Sequence, residues 1–326
     1  MQRSVTGAGL GAALSVLALG GLAAPAQAQD YPTRPITLVV PLPAGGTGDL
    51  LCRFAGEKAS AALGQQVVIE NRPGGASRLG MEQVLRAPPD GYTLLCSTQL
   101  SYSITHLMFA KSGFDPRPLE PVSVLATYPL IIIVRKDFPA NDLKGFIAYA
   151  KANPGKVTYG HQGKGNTGHL LGELMMLKAG FKMTEVPYRG SAPAINDLLS
   201  GNIDMVPDYL LSNKGNIDTG KLKLIAVADT HRLKEYPKVE RVEDTLPGVT
   251  SITWMAVSAP PKTPKAIVDK VSAAIAKGFK EADMQARIRK LEAEPRGTTP
   301  EEMRKMIKES EEIWAPVIQA AHISIE

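Results

Sequence analysis

A run of apolar, mostly β-branched residues, Ile36 to Val40, ends in Pro41-Leu42-Pro43-Ala44-Gly45-Gly46-Thr47-Gly48-Asp49, where almost every bulky side chain is gone. The run reads as a buried strand. Leu50, Leu51, Phe54, Ala55, Ala61 and Ala62 then recur at helical spacing, so a helix starts near Thr47 to Asp49. Strand, glycine loop, helix is a unit that needs a sheet to bury the strand and a face of that sheet to cover with the helix. The first helical turn has N–H groups without an internal partner, and the helix dipole favours an anion there. Glycine lets an anion come close to the backbone. The stretch therefore reads as one half of a carboxylate-binding site; the plainer alternative is a tight β-to-α turn with no ligand.

The unit recurs. Residues 157–159 form a strand, His161-Gln162-Gly163-Lys164-Gly165-Asn166-Thr167-Gly168-His169 a second glycine loop, and Leu170, Leu171, Leu174, Met175 and Leu177 a helix face. A third turn of this kind, Arg189-Gly190-Ser191, leads into a helix with Pro193 in its first turn. Between these units lie strands at 66–70 and 92–96, a short helix at 81–86 and an extended apolar stretch at 122–134, broken at Pro129. A helix capped by Asn141 runs through Ala152, and further strands follow at 202–206 and 222–228. This rhythm predicts α/β layers with mostly parallel sheets, in two halves whose glycine loops face each other across a cleft. The last part is helical. Thr263 caps a helix with Pro264 in first position and a buried face of Val268, Val271, Ile275 and Phe279; Thr299-Pro300-Glu301-Glu302 repeats that start before Met303, Met306, Ile313, Trp314 and Val317.

Residues 1–28 have the form of an export signal: Arg3, an uncharged apolar stretch from Val5 to Leu22, and Ala26-Gln27-Ala28 as a small-x-small cleavage site. The expected product is periplasmic and starts near Gln29, leaving about 298 residues, enough for two domains. With 37 basic and 32 acidic residues the chain is mildly positive, but no basic run marks a nucleic-acid partner. Cys52 and Cys96 are the only cysteines. In an oxidising compartment they are either bridged or two separate buried thiols, and metal binding by such a pair is not expected.

Other chemistry finds little support. Gly163-x-Gly165-x-x-Gly168 matches a dinucleotide fingerprint, and Arg189, where an acid would hold a ribose, could hold a 2′-phosphate instead; against it, an exported enzyme would lack a cofactor supply. No nucleophile elbow, phosphate-binding lysine loop or zinc-binding helix motif is present. His161 and His169 lack a carboxylate or third ligand at metal spacing, and Asp49 is explained as a helix-start residue. No catalytic residue, metal or cofactor is therefore expected. An exported enzyme acting on a small organic acid remains the alternative to a binding protein.

Tyr31-Pro32-x-x-Pro35-Ile36, Val39-Val40-Pro41 to Asp49, Glu70-Asn71-Arg72-Pro73-Gly74 and Pro89-Asp90-Gly91-Tyr92-Thr93-Leu94-Leu95 together resemble the Bug family, the periplasmic solute receptors of tripartite tricarboxylate transporters. The likeness continues through Pro154-Gly155-Lys156-Val157-x-Tyr159-Gly160, Gly168-His169-Leu170, Val186-Pro187-Tyr188-Arg189-Gly190 and Gly201-x-Ile203-Asp204 to the terminal helices. It implies a monomeric, two-lobed receptor of the periplasmic-binding-protein kind that closes on a small organic acid and serves membrane transporter subunits. The first lobe would comprise residues 29–127 and 253–326, the second residues 128–252, with the strands near 122–134 and 252–259 as hinge. Carried over by position, the ligand would meet Pro43, Ala44, Gly45, Gly46, Thr47 and Asp49 from the first lobe. The second lobe would supply Gly165, Asn166, Thr167, His169, Arg189 and Asp208. Leu42, Ser77-Arg78-Leu79-Gly80 and Pro207 depart from the usual pattern, which bears on the ligand's identity rather than the architecture. The charges favour a di- or tricarboxylate, or an aromatic or amino acid with a polar second end.

Overall fold

The computed structural model describes residues 31–75 and 77–325; the export segment and its cleavage site lie outside them. The chain opens with β1 (Ile36–Val40), α1 (Thr47–Leu63), β2 (Val67–Asn71), α2 (Arg78–Leu85), β3 (Thr93–Thr98) and the short helices α3 (Gln99–Ser103) and α4 (Thr105–Met108). Strand β4 (Glu120–Arg135) leads into α5 (Leu143–Ala152), β5 (Thr158–His161), α6 (Thr167–Ala179), β6 (Thr184–Pro187), α7 (Ser191–Ser200) and β7 (Met205–Tyr209). Then come α8 (Leu210–Asp218), β8 (Leu222–Val227), β9 (Glu240–Arg241), α9 (Val242–Thr245) and β10 (Ile252–Ala259). The chain finishes with α10 (Lys265–Phe279), α11 (Ala282–Arg289), β11 (Glu294–Pro295) and α12 (Pro300–Ala320).

Two sheets share one strand. β1 pairs in parallel with β2 and β3, and β10 runs antiparallel between β3 and the first part of β4. Beyond that point β7 and β8 flank β4 in antiparallel register, and β5 pairs in parallel with β6 and β7. The sequence predicted a break at Pro129, but the strand runs through it. Pro129 faces Ile252, the end of the β10 ladder, and Leu130 opens the ladder with Tyr209 of β7. A residue without an N–H is tolerated where a strand exchanges one partner for another.

The second part of β4 shows why this stretch is apolar without a polar alternation. Leu130, Ile132 and Val134 join a cluster with Phe146 of α5 and Leu170, Leu171 and Leu174 of α6. Ile131 and Ile133 point the other way, into a cluster with Ala194 and Leu198 of α7 and Leu210 of α8. Helices on both faces require a strand apolar on both faces. In the first sheet, Val39, Leu95 and Trp254 pack with Met81, Val84, Tyr102 and Met303, while α1 and α10 pack together and contact the sheet's strands. Helix α12 serves both cores: Met303 lies in the first cluster, and Trp314, Val317 and Ile318 lie in the second.

Cys52 of α1 and Cys96 of β3 form a disulfide with a Cα separation of 5.9 Å, which settles the pairing. Thr299 caps α12 as expected, in a reciprocal box with Glu302. Two other caps differ from the sequence reading. Asp142, not Asn141, caps α5 by accepting from the Gly145 amide at 2.7 Å, while Asn141 accepts from Lys223. Pro264 holds the cap position of α10, and Thr263 donates to the Pro260 carbonyl instead.

Candidate carboxylate-binding site

The first glycine loop leaves the carboxyl end of β1 and is mostly exposed: Pro43, Ala44, Gly45 and Gly46 face solvent, and Thr47 is half-buried. Gly46 takes the cap position of α1, and no side chain caps the helix. The amides of Thr47, Gly48 and Asp49 have no hydrogen-bond acceptor among the described residues. Three free donors at the positive end of a 17-residue helix can receive an anion.

Asp49 does not add to that negative face. It is 1 % exposed, and its carboxylate accepts from the Gly45 amide at 2.8 Å, Arg53 Nε at 2.8 Å and Asn71 Nδ2 at 2.7 Å. Burial pushes its carboxyl up, but the bonds from Arg53, Asn71 and Gly45 outweigh burial and hold it below the usual carboxylate range. Asn71 also donates to the Leu42 carbonyl at 3.0 Å, so Asp49 and Asn71 together fix both ends of the loop. The sequence reading found no cation in this loop. Arg53, one helical turn beyond Asp49, supplies one, and an i,i+4 acid–base pair is the signal that could have revealed it.

The second glycine loop leaves the carboxyl end of β5 and is built the other way. Gly165, Thr167 and His169 are buried and Asn166 is half-buried. Asn166 caps α6, accepting from the His169 amide at 2.9 Å. His161 Nδ1 accepts from the Gly163 amide at 3.2 Å, and His169 Nδ1 accepts from the Gly165 amide at 3.0 Å. Gly165 has φ +78°, and a Cβ there would stand 2.6 Å from Met108 Sδ, so no other residue fits without rearrangement. The sequence reading gave these histidines no clustered carboxylate. The parallel pairing of β5 with β6 brings one: Glu185 Oε1 lies 2.9 Å from His161 Nε2 and 3.5 Å from His169 Nε2.

The two helix starts meet around one segment of β10. A Cβ on Gly48 would stand 2.5 Å from Met255 Cε, so Met255 lies against the first turn of α1. The Tyr209 hydroxyl reaches toward Thr167 of α6 and Thr253 of β10, although Thr253 completes no hydrogen bond. Tyr128, opposite Thr253 in the ladder, meets Tyr209 edge-on at 5.2 Å, and burial pushes the Tyr209 hydroxyl up to about 12. Gln99 also belongs to this level, one residue past the Thr98–Met255 pair. It is 1 % exposed, with neither Oε1 nor Nε2 partnered among the described residues. The sequence reading missed Gln99, Tyr209 and Thr253, which nothing in local spacing marks.

Arg189 and Asp208 differ in availability. Arg189 is exposed near the start of α7 and has no ion pair among the described residues. Asp208 is fully buried and accepts from Ser191, from Asn213 Nδ2 at 3.1 Å and from the Tyr209 amide at 2.8 Å. Burial pushes its carboxyl up in spite of those bonds.

The crevice at the carboxyl ends of the strands is where sheets of this type bind ligands. Comparison with known proteins gives the family. Residues 51–323 match the pattern of the tripartite tricarboxylate transporter family receptors, and the chain belongs to that family. It is 31 % identical over 307 residues to BugT of Bordetella pertussis, covering 93 % of this chain and 94 % of that one. Among solved structures it resembles R. palustris Rpa4515 with adipate, at 32 % identity and TM-score 0.79, covering 90 % of this chain and 99 % of that one. It also resembles MatC of Rhodopseudomonas palustris with bound malate, at 28 % identity and TM-score 0.75, covering 88 % and 100 % of the two chains. The family is one of two-lobed solute-binding receptors for small organic acids.

Proposed function

We propose that this chain is exported by cleavage after Ala28 and captures a small di- or tricarboxylate between its lobes for delivery to the membrane subunits of a tripartite transporter. The observation that carries this reading is the start of α1, where three amides without acceptors stand beside a solvent-facing glycine loop. Adipate and malate, each with an acid group at both ends, are bound by the two similar receptors, which favours a ligand that reaches across both lobes. The amides of Thr47, Gly48 and Asp49 would take one carboxylate, with Pro43 to Gly46 lining its approach. Asn166, Thr167 and Arg189 would meet the other end, and Gln99 would meet a polar group between them. Asp49, His169 and Asp208 would act from behind, through the groups they hold.

The lobes would meet where β4 and β10 cross, so that residues 128–252 move as one body against residues 29–127 and 253–326. A ligand lacking its second polar end would leave donors of the second lobe unpaired in the closed state, which is costly away from water. Binding is then micromolar or tighter, about −8 kcal/mol or better. The acid would leave unchanged, as from a receptor. Calorimetry with malate, adipate and acetate, followed by mass analysis of the recovered acids, tests the proposal. Equal affinity for acetate would refute the two-ended ligand, and conversion of any acid would favour an exported enzyme.

A further inference from the structure

His161, His169 and Glu185 gather within 4.8 Å of one another, a grouping that in outline could hold a metal ion. Their hydrogen bonds argue for something else. Both Nδ1 atoms accept from glycine amides, so neither carries a proton, and in a neutral ring the proton then sits on Nε2. Both Nε2 atoms face Glu185, which fixes that tautomer. A metal bound at Nε2 would drive the proton to Nδ1, directly against the Gly163 and Gly165 N–H groups.

We propose that His161 and His169 are positioning residues: as neutral rings they hold Gly163 and Gly165 in the geometry that closes over the ligand, and a proton taken up by His169 releases the loop. The proposal rests on the receptor reading above and adds its regulation by acid. Protonation fills Nδ1, so the glycine amide loses its acceptor and meets a second N–H. The rings cannot easily turn away, because His161 is fully buried, His169 is 2 % exposed, and their centroids are 4.5 Å apart. Two cations at that distance would also repel each other.

The groups facing the pair come from each neighbouring element. Tyr159 of β5 donates to Glu173 of α6 at 2.6 Å, Glu173 lies 3.9 Å from His169 Nε2, Glu185 of β6 bridges the rings, and Lys164 sits in the loop itself. On α4 and α12, which flank α6, His106 and Glu311 pair with each other. Burial above all pushes His169 down to about 4, which places release on the acid side of neutrality.

The test compares two double variants. Asparagine places its oxygen near the Nδ1 position and cannot be protonated; glutamine reaches the Nε2 position instead. His161→Asn with His169→Asn should keep more affinity for malate and adipate at pH 7.5 than His161→Gln with His169→Gln, by about tenfold or more. Between pH 7.5 and 3.5 the wild type should lose affinity beyond the ligand's own titration, and the asparagine pair should lose only the ligand's share. Identical acid dependence in wild type and asparagine pair would overturn the proposal. A readout without ligand separates it from the receptor reading. In the free wild-type protein, the Gly165 amide resonance should move with pH over this range, and in the asparagine pair it should not. A resonance that stays still in the wild type would also overturn the proposal, whatever the protein binds.

Discussion

Gly45 to Gly48 and Gly163 to Gly168 each carry a strand into a helix, yet only the first leaves its helix without a side-chain cap and its glycines facing solvent. The second hands two amides to histidine rings and a third to Asn166. In the first loop, support comes from below: Asp49 and Asn71 grip the backbone from inside and leave the ligand side clear. In the second, support comes from the groups lining the loop, which leaves fewer donors for a ligand and makes its shape depend on protonation. The same glycine spelling thus gives two constructions, one with open amides and one with its amides bonded, and the neighbours decide which.

The largest effect expected from this contrast concerns the tether. Among the described residues only the first sheet and its helices are cross-linked, through Cys52 and Cys96, 44 residues apart. Removing a bridge that closes a loop of that length costs about 4 kcal/mol in the chain-entropy account. Denaturant titration of Cys52→Ala with Cys96→Ala should show a loss of that order, and hydrogen exchange should show β1 and β3 losing protection ahead of β5 and β7. Equal loss in both lobes would mean that they unfold as one unit, with no separate tether to speak of.

Acid should separate the loops next. His169 has its ordinary value of 6.5 lowered to about 4, so the neutral ring stabilises the folded state fully above pH 6.5. That contribution, about 3 kcal/mol by the size of the shift, is lost as pH falls from 6.5 to about 4, because the unfolded chain binds the proton first. Asp49 behaves oppositely in range: its carboxyl is held below 3.8, so its contribution persists until the pH falls beneath that value. At pH 4, the protection of the Gly165 amide, corrected for the slower intrinsic exchange in acid, should therefore fall, and that of Gly45 should hold. Faster exchange at Gly45 would break the comparison.

A pair of glycine substitutions sharpens it. Gly46 has an ordinary backbone conformation and open space around a Cβ, so Gly46→Leu should leave the melting temperature nearly unchanged. If ligand approaches there, the same variant should lose about a hundredfold in malate affinity, ~3 kcal/mol. Gly165→Ala, with its positive φ and the Met108 contact, should instead cost about 1–3 kcal/mol of stability. Calorimetry and thermal melts on both proteins check the crossing. A stability loss at Gly46 with intact binding would reverse the assignment of roles.

What was legible in the sequence follows the range of the interaction that decides it. The strands and helices around both loops, and the Thr299–Glu302 box, are set by neighbours three or four residues away, and their pattern is visible in the chain. The Asn141 and Thr263 caps failed because adjacent residues compete for one position and another partner takes the loser: distant Lys223 takes Asn141, and the nearby Pro260 carbonyl takes Thr263. Pro129 looked like a break because its tolerance depends on which strands flank it. Glu185 could be placed under the histidines only by knowing the register of β5 against β6. Gln99 carries no pattern at all, and its unpartnered amide becomes visible only in the folded chain.

The smallest effect expected is at Asp49, and its geometry makes the outcome specific. Oδ2 accepts from Gly45 and Arg53, and Oδ1 accepts from Asn71, so all three neighbours are donors. In Asp49→Asn one of those oxygens becomes an amide that must face a donor. Turning Asn71 over does not help, because its nitrogen also donates to Leu42 and its oxygen also accepts from Arg53. One buried donor is left unsatisfied, a cost of about 1–3 kcal/mol, in part offset because Arg53 is half exposed and can turn to water. Thermal melts should place Asp49→Asn nearer the lower figure, and malate affinity should fall only a few-fold, since the free amides of α1 remain. A loss as large as that of Gly46→Leu would mean that Asp49 touches the ligand itself, and the first loop would then bind by a side chain, as the second was first expected to.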